Sequence, residues 1–155
     1  MEPSELFLVA DVIATIAHHG QVDKAGQPYI EHPRRVTQLA YRAADQSGVN
    51  RFDVMTVARL HDVVEDTPVT LELLYSALPV HIVDAVDAIT YPPGEPRDVY
   101  YARVAANELA FQVTLADIAD NSDPDRLAVL DPETRDRLTA KYSHALKMLH
   151  ELRGK

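Results

Sequence analysis

Four ionisable side chains crowd into the stretch LHDVVEDTP, residues 60–68. His61 and Glu65 are four residues apart, as are Asp62 and Asp66, so on a helix all four would share one polar face. Three carboxylates this close repel one another and raise each other's pKa unless a cation relieves them. The stretch alone is equally consistent with a solvated helix end and with part of a divalent-metal site.

Two distant segments favour the metal site. LADIADN, residues 115–121, places Asp117 and Asn121 four residues apart in an apolar helix. A carboxylate there would be partly buried, which is costly unless it is paired or bound to a metal. PYIEHP, residues 28–33, adds His32, which taken alone fits a helix cap or a surface residue better than a metal ligand.

Together the segments offer two imidazoles and two carboxylates as metal ligands: His32, His61, Asp62 and Asp117. Such a nitrogen and oxygen set suits Mn²⁺, Fe²⁺ or Zn²⁺ rather than Ca²⁺. Because the chain has no cysteine, thiolate ligands and disulfides are excluded.

These residues must be positioned by helices, and residues 1–155 are predicted to form a single all-α domain. Apolar residues recur at helical spacing, and no stretch shows the sustained alternation of strands. The first half should contain a helix capped by Ser4 and ended by Gly20, a loop over 21–32, a helix with Pro33 in its first turn and Gly48 after its end, and a helix from Asn50 to Asp66. The second half should contain a helix capped by Thr70, one through 82–89, a break at 92–96, helices over 98–107 and 110–120, a polar connector and a last helix over 132–153.

Composition limits the partners. With 15 basic against 24 acidic residues the formal net charge is −9, whereas nucleic-acid backbones are held by clustered Lys and Arg, so no polymeric nucleic acid is expected. A small phosphorylated ligand fits if a metal supplies positive charge. No apolar run reaches the roughly 18 residues of a membrane span, and the acidic start lacks the basic region of a signal peptide, so a cytoplasmic protein is expected. The oligomeric state is not determined, since no long heptad seam is present.

Four segments in this order resemble the HD-domain hydrolases of the Rel/SpoT type: HHGQ at 18–21, KAGQPYIEHP at 24–33, LHDVVEDT at 60–67 and LADIADN at 115–121. Within that group the chain is most similar to the stand-alone small alarmone hydrolases. The resemblance spans roughly residues 13–121 and implies the compact HD-type helical fold. The reaction it implies is removal of the 3′-pyrophosphate from ppGpp or pppGpp, which gives GDP or GTP.

The resemblance also implies roles for individual residues. The four candidate ligands would hold one metal, usually Mn²⁺, which lowers the pKa of bound water. Glu65 and Asp66 would position and activate the attacking water, with Asp66 either assisting the leaving group or holding Glu65. Asn121 would lie near the ribose, and Tyr142 matches a tyrosine of the C-terminal helix. Lys24 would keep the lysine of an Arg-Lys pair that binds the nucleotide.

The chain departs from this family at three basic positions. Asp23 replaces the arginine that packs on guanine, Thr114 replaces a lysine, and no arginine follows Asn121 at the usual distance. An Arg-to-Asp change removes a stacking plane and a positive charge. Five other cations are candidates to compensate: Lys24, Arg34, Arg103, Arg126 and Lys141.

These departures keep two alternative functions open. The first is a metal-dependent phosphatase acting on another nucleotide or small phosphate ester. The second is a non-catalytic nucleotide-binding sensor, against which the complete Glu65–Asp66 pair argues. His18 is expected to be structural, and Tyr100 and Tyr101 are expected to be packing residues.

Overall fold

The computed structural model describes residues 1–154, and these residues form ten helices with a single isolated bridge between Val22 and Pro28. The all-α fold class is therefore confirmed. None of these helices combines the length and the apolar character needed to cross a bilayer. In chain order the helices are α1 (Pro3–Ala17), α2 (Glu31–Ser47), α3 (Arg51–Leu60), α4 (Val63–Asp66), α5 (Leu71–Ala77), α6 (Val80–Ile89), α7 (Arg97–Ala105), α8 (Glu108–Asn121), α9 (Pro124–Leu127) and α10 (Pro132–Arg153).

Several helix ends are set by local hydrogen bonds. The side chain of Thr70 accepts from the Leu73 amide at the start of α5, as its sequence position predicts. Gly48 ends α2 with a left-handed φ of 79°, a conformation that glycine adopts without a steric cost. The prediction for Ser4 was wrong, because α1 begins at Pro3 and is capped by Glu2, so Ser4 lies inside its first turn.

Helix α3 lies at the centre of the fold. It packs against α1, α2, α6 and α8. Val54, Val57, Ala58 and Leu60 on this helix are fully buried, and each large apolar side chain removed from water contributes about 1.5–3 kcal/mol. Because four neighbours fix α3, the residues that directly follow its end are held in a defined place.

The predicted helix from Asn50 to Asp66 is broken in the structure, and this is a correction to the sequence prediction. Helix α3 ends at Leu60, and α4 begins only at Val63. At the break, His61 Nδ1 lies 2.7 Å from the carbonyl oxygen of Ala58, which in a continuing helix would accept from the amide of Asp62. The chain turns at His61 and Asp62 instead of presenting one continuous polar strip.

Two other boundaries differ from the prediction. Glu31 and His32 were assigned to the loop but lie in the first turn of α2. The connector after α8 contains the short helix α9, which Asp123 caps by accepting from the amides of Asp125 and Arg126. As a result, His32 on α2 and Arg126 on α9 lie close to α8.

Candidate metal centre

Three separate elements bring the four predicted ligands together. His32 comes from the first turn of α2, His61 and Asp62 from the turn between α3 and α4, and Asp117 from the middle of α8. Asp117 Oδ1 lies 2.8 Å from His32 Nε2 and 3.3 Å from His61 Nε2. Asp62 Oδ2 lies 3.1 Å from His61 Nε2 and 3.6 Å from His32 Nε2. We call these four residues the metal cluster.

The hydrogen bonds behind the two imidazoles fix which nitrogen faces the cluster. His61 Nδ1 contacts the Ala58 carbonyl, which can only accept, so Nδ1 carries the hydrogen. His32 Nδ1 lies 2.6 Å from Asp120 Oδ2, and an ionised carboxylate imposes the same arrangement. In the neutral imidazoles, Nε2 therefore presents a lone pair toward Asp117 in both cases.

The cluster favours positive charge at its centre. Burial alone would lower the pKa of His61, but the charges of Asp62 and Asp117 outweigh burial and raise it well above its ordinary value. Burial also opposes protonation of His32, yet hydrogen bonds with Asp117 and Asp120 raise its pKa. Burial would raise the pKa of Asp117, but the His61 charge and the hydrogen bond from His32 hold it below its usual range. The cluster therefore attracts positive charge, which protons on the imidazoles or a bound divalent cation can supply.

The donor set fits a divalent cation. One ligand atom from each of His32, His61 and Asp117 lies within 4.8 Å of the other two. Two imidazole nitrogens with carboxylate oxygens form a mixed set of the kind used by Mn²⁺, Fe²⁺ and Zn²⁺. Four hydrogen-bond partners orient the ligands: the Ala58 carbonyl, Asp120, Tyr29 and Asn121. Outer groups that fix each ligand in this way are typical of metal sites.

Tyr29 is one of these partners, and the sequence analysis missed it. Its hydroxyl donates to Asp62 Oδ2 at 2.5 Å and lies 3.4 Å from Asp66 Oδ2. Burial and the neighbouring Asp62 charge raise the pKa of Tyr29 far above its ordinary value, so the hydroxyl keeps its hydrogen. The available signal was its spacing, three residues before His32 in PYIEHP.

The predicted catalytic residues Glu65 and Asp66, which we call the acidic pair, lie next to the cluster on α4. One oxygen from each lies within 4.8 Å of an Asp62 oxygen. Glu65 Oε1 accepts from the Tyr91 amide at 2.8 Å, so a loop residue holds the carboxylate in place. Burial, followed by the charges of nearby carboxylates, raises the pKa of both residues.

Two cavities adjoin at the metal cluster. The smaller, of about 240 Å³, is lined by Asp62, Asp117 and the acidic pair. The larger, of about 910 Å³, is lined by residues that include Lys24 and Arg126. Four side chains border both cavities: Tyr29, His32, Asn121 and Tyr142. The cluster thus lies where the two cavities form one cleft.

The three predicted substrate-binding residues all line this cleft. Lys24 is exposed in the larger cavity. Asn121 Nδ2 donates to Asp117 Oδ1 at 3.0 Å, which ties it to the metal cluster. Burial raises the pKa of Tyr142 to about 12, so its hydroxyl remains a hydrogen-bond donor at neutral pH. Their contact with a substrate remains a prediction.

The chain matches a known protein family across the site. The family model described as the HD domain matches residues 29–122, more than half of the 155 residues. The match contains the whole metal cluster and the acidic pair. The chain belongs to the HD domain family.

Known relatives of this HD domain are of the Rel/SpoT type, as the sequence motifs predicted. The chain is 38% identical over 79 residues to a guanosine-3′,5′-bis(diphosphate) 3′-pyrophosphohydrolase of Haemophilus influenzae, a match that covers 51% of this chain and 11% of the relative. It is 36% identical over 84 residues to the bifunctional (p)ppGpp synthase/hydrolase SpoT of Escherichia coli K12, covering 52% of this chain and 11% of the relative. A 33% identical match over 75 residues to the pyrophosphohydrolase MESH1 of Danio rerio covers 48% of this chain and 40% of that protein. The matches therefore span only about a tenth of the bacterial relatives.

A solved structure shares the fold. It is described as a metazoan orthologue of SpoT that hydrolyses ppGpp and plays a role in starvation responses. The TM-score is 0.78 at 24% sequence identity, and the match covers 96% of this chain and 88% of that chain. The likeness confirms the HD-type helical fold.

Asp23, the first of the departures that the sequence motifs indicated, has a structural role. Its Oδ1 accepts from the amides of Ala25 and Gln27, both at 2.9 Å, and so closes the loop between α1 and α2. Its Oδ2 lies 3.6 Å from Arg126 Nη2. A second departure, Thr114, lines the smaller cavity, and its buried hydroxyl has no partner within residues 1–154.

The cations expected to compensate divide into two groups. Arg34 and Arg103 form ion pairs with neighbouring glutamates and do not line the two cavities. Arg126 and Lys141 do line the cleft, in the larger and the smaller cavity respectively. The sequence analysis missed Arg97, which lines the smaller cavity beside Lys141 and follows the PPGEP break directly.

The remaining candidates lie outside the metal cluster. His18 is buried at the end of α1, and its Nδ1 lies 2.8 Å from Gln21 Oε1. Gln21 Nε2 in turn donates to the backbone oxygen of Asp66 at 2.9 Å, so the HHGQ segment supports the acidic pair. Tyr100 and Tyr101 are buried core residues.

Proposed function

We propose that this HD domain is a metal-dependent phosphohydrolase that removes the 3′-pyrophosphate from ppGpp or pppGpp, with Mn²⁺ as its metal. The observation that carries the proposal is the convergence of the metal cluster and the acidic pair where two cavities adjoin. A structural metal site has no need of two further carboxylates beside it. The substrate is taken from the names of the relatives, several of which are guanosine-3′,5′-bis(diphosphate) 3′-pyrophosphohydrolases.

His32, His61, Asp62 and Asp117 would hold the metal. A divalent cation held there would make bound water more acidic and offset negative charge that develops on the phosphoryl oxygens. Glu65 would act as the general base and accept a proton from the attacking water. Its Oε1 is held by the Tyr91 amide, whereas Oε2 makes no hydrogen bond within residues 1–154. A raised pKa moves a carboxylate toward the range in which a base works best.

Asp66 has two open roles, holding Glu65 or assisting the leaving group. Its backbone amide donates to the Asp62 carbonyl at 2.9 Å, and its backbone oxygen accepts from Gln21. The backbone is thus fixed on both sides, while the carboxylate has one weak contact, at 3.4 Å, with Tyr29. This freedom is compatible with a contact to substrate.

The charges of the cleft suggest how a nucleotide would lie. Arg97 and Lys141 line the smaller cavity beside the acidic pair, where they could hold pyrophosphate oxygens. Burial, then the nearby charges of Arg97 and Lys24, lower the pKa of Lys141, so an anion placed there would relieve unfavourable repulsion. The larger cavity has the volume for the nucleoside, with Asn121 and Tyr142 at the boundary.

A product assay tests the proposal. Purified protein is incubated with ppGpp and Mn²⁺, and GDP and pyrophosphate are quantified by ion-exchange chromatography. We expect equal amounts of the two products and no release after chelation. Release of orthophosphate without pyrophosphate would contradict the proposal.

One observation favours a second candidate, a metal-dependent phosphatase acting on another nucleotide or small phosphate ester. Arg35 and Arg126 in the larger cavity are both bound to Asp120. Among the cations that line this cavity, only Lys24 forms no ion pair within the described residues, so little positive charge remains there for a second diphosphate. A panel of nucleoside monophosphates and dinucleotide 2′-phosphates, offered with Mn²⁺, separates the candidates by orthophosphate release. Tight nucleotide binding without any turnover would instead support a sensor.

A further inference from the structure

Asp120 is a buried carboxylate that contacts one residue of the metal cluster, His32. It lies on α8 three residues after Asp117, and only 4% of its surface is exposed. Its Oδ2 lies 2.6 Å from His32 Nδ1, on the side of the ring opposite the cluster. Asp117 and Asp120 therefore contact the two nitrogens of one imidazole.

Two arginines hold the Asp120 carboxylate in its ionised form. Arg35 Nε donates to Oδ1 at 2.8 Å, and Arg126 Nη1 donates to Oδ2 at 2.8 Å. An ionised carboxylate only accepts hydrogen bonds, so His32 must donate through Nδ1. The lone pair of His32 Nε2 is then directed at the cluster.

We propose that Asp120 is a positioning residue, which holds His32 in the orientation and tautomer needed for binding the metal. The Ala58 carbonyl does the same for His61 with a neutral acceptor, at 2.7 Å. The two histidines thus have unequal supports, one neutral and one charged. This inference rests on the metal site of the proposed function but concerns a residue outside the ligand set.

The support of His32 also extends to the larger cavity. Arg126 donates to Asp120 and lies 3.6 Å from Asp23 of the loop between α1 and α2. The chain of contacts from Asp23 through Arg126 and Asp120 ends at His32. The position of one metal ligand is therefore connected with the loop that borders the nucleoside end of the cleft.

The test compares Asp120→Ala with Asp120→Asn. Both variants lose the negative charge that pairs with Arg35 and Arg126, but only the asparagine keeps an oxygen that accepts from His32. Mn²⁺ affinity of the full chain, first stripped of metal, is measured from the free-ion signal in electron paramagnetic resonance. Loss of such an outer partner typically weakens metal binding by roughly 10- to 100-fold. We expect that loss for Asp120→Ala and recovery of most of the affinity in Asp120→Asn.

Two controls separate positioning from general damage. Asp136→Ala, at an exposed aspartate on α10, should bind Mn²⁺ like the wild type. In a His32→Ala background, Asp120→Ala should cause little further loss, because the interaction that it removes is already absent. Thermal unfolding of the metal-free proteins reports whether each variant is folded.

Each outcome decides the inference. Equal losses in Asp120→Ala and Asp120→Asn, or an undiminished loss in the His32→Ala background, would show that Asp120 acts on the structure as a whole and would overturn it. Wild-type affinity in Asp120→Ala would overturn it as well, while the proposed hydrolase would stand. A wild type that binds no Mn²⁺ would instead remove the proposed metal-dependent function. If both Asp120 variants fail to fold, Arg35→Gln replaces them, and an affinity unchanged from the wild type would overturn the inference.

Discussion

The metal cluster and the larger cavity lie side by side but are built in opposite ways. In the cluster, side chains from α2, the α3–α4 turn and α8 meet within hydrogen-bond distance, and His61 is only 1% exposed. In the larger cavity, the loop with Asp23 and Lys24 is mostly exposed. The Asp23 carboxylate accepts hydrogen bonds from backbone amides of the same loop. Core packing holds the cluster in place, whereas hydrogen bonds within the loop hold this part of the cavity wall.

This difference bears on the two departures that the sequence motifs indicated, since Asp23 lies in the loop whereas Thr114 is buried on α8. An exchange at Asp23 or Lys24 changes the charge of the cavity without moving a core helix, since loops tolerate substitution better than packed elements. An exchange in the cluster leaves buried groups without partners, which is costly. We therefore expect substitutions in the loop to be tolerated more readily than substitutions in the cluster.

Removal of a metal ligand should have the largest effect. Asp117→Ala deletes the oxygen that contacts His32, His61 and Asn121. We expect loss of Mn²⁺ binding and a fall in turnover of at least about 10³-fold, because the metal contributes several kcal/mol of transition-state stabilisation. Mn²⁺ titration and pyrophosphate release measure both effects. An Asp117→Ala protein that retained metal and turnover would refute the assignment of the cluster, with Asp136→Ala as the matched control.

Removing the proposed base should separate chemistry from metal binding. Glu65→Gln keeps an oxygen for the Tyr91 amide but cannot accept a proton from water. We expect kcat to fall by about 10²- to 10⁴-fold while Mn²⁺ affinity stays close to that of the wild type. Glu72→Gln, at an exposed residue of α5, is the control. Unchanged kcat would exclude Glu65 as the base.

The pH profile sharpens the assignment within the acidic pair. Burial raises the pKa of Glu65, and a base works only when ionised, so activity is lost as the pH falls through that raised pKa. The acid limb of kcat, measured at saturating Mn²⁺, should therefore lie above the ordinary glutamate pKa of about 4.3. Glu65→Gln should abolish the limb, whereas Asp66→Asn should retain it. A limb that disappears only in Asp66→Asn would reverse the two roles.

The smallest effect is expected at the loop. Lys24→Ala removes an exposed cation of the larger cavity, and exposed charges contribute little. KM should rise by roughly 2- to 5-fold with kcat unchanged, and the effect should shrink as salt screens the charge. Steady-state kinetics at two salt concentrations measure both, with Lys147→Ala on α10 as the control. A large fall in kcat would show that the loop takes part in the chemistry.

Much of the fold could be predicted because its signals are local. Thr70 and Gly48 mark helix ends by their own side-chain and backbone chemistry, and both act as predicted. The break at His61 could not be predicted in this way. A helix period continues through residues 50–66 of the sequence, but in the structure α3 ends at Leu60 and the His61 ring takes the Ala58 carbonyl as its acceptor.

The sequence by itself determined the identity of the four candidate ligands and the acidic pair, since ordered motifs and the cost of buried carboxylates limit which residues can serve. Only the tertiary structure decided what surrounds them. These contacts join residues far apart in the chain. Tyr29 donates to Asp62, Arg35 donates to Asp120, and Arg97 lines the same cavity as Lys141. No local pattern records such contacts, because they arise when whole helices pack and bring distant side chains within hydrogen-bond distance.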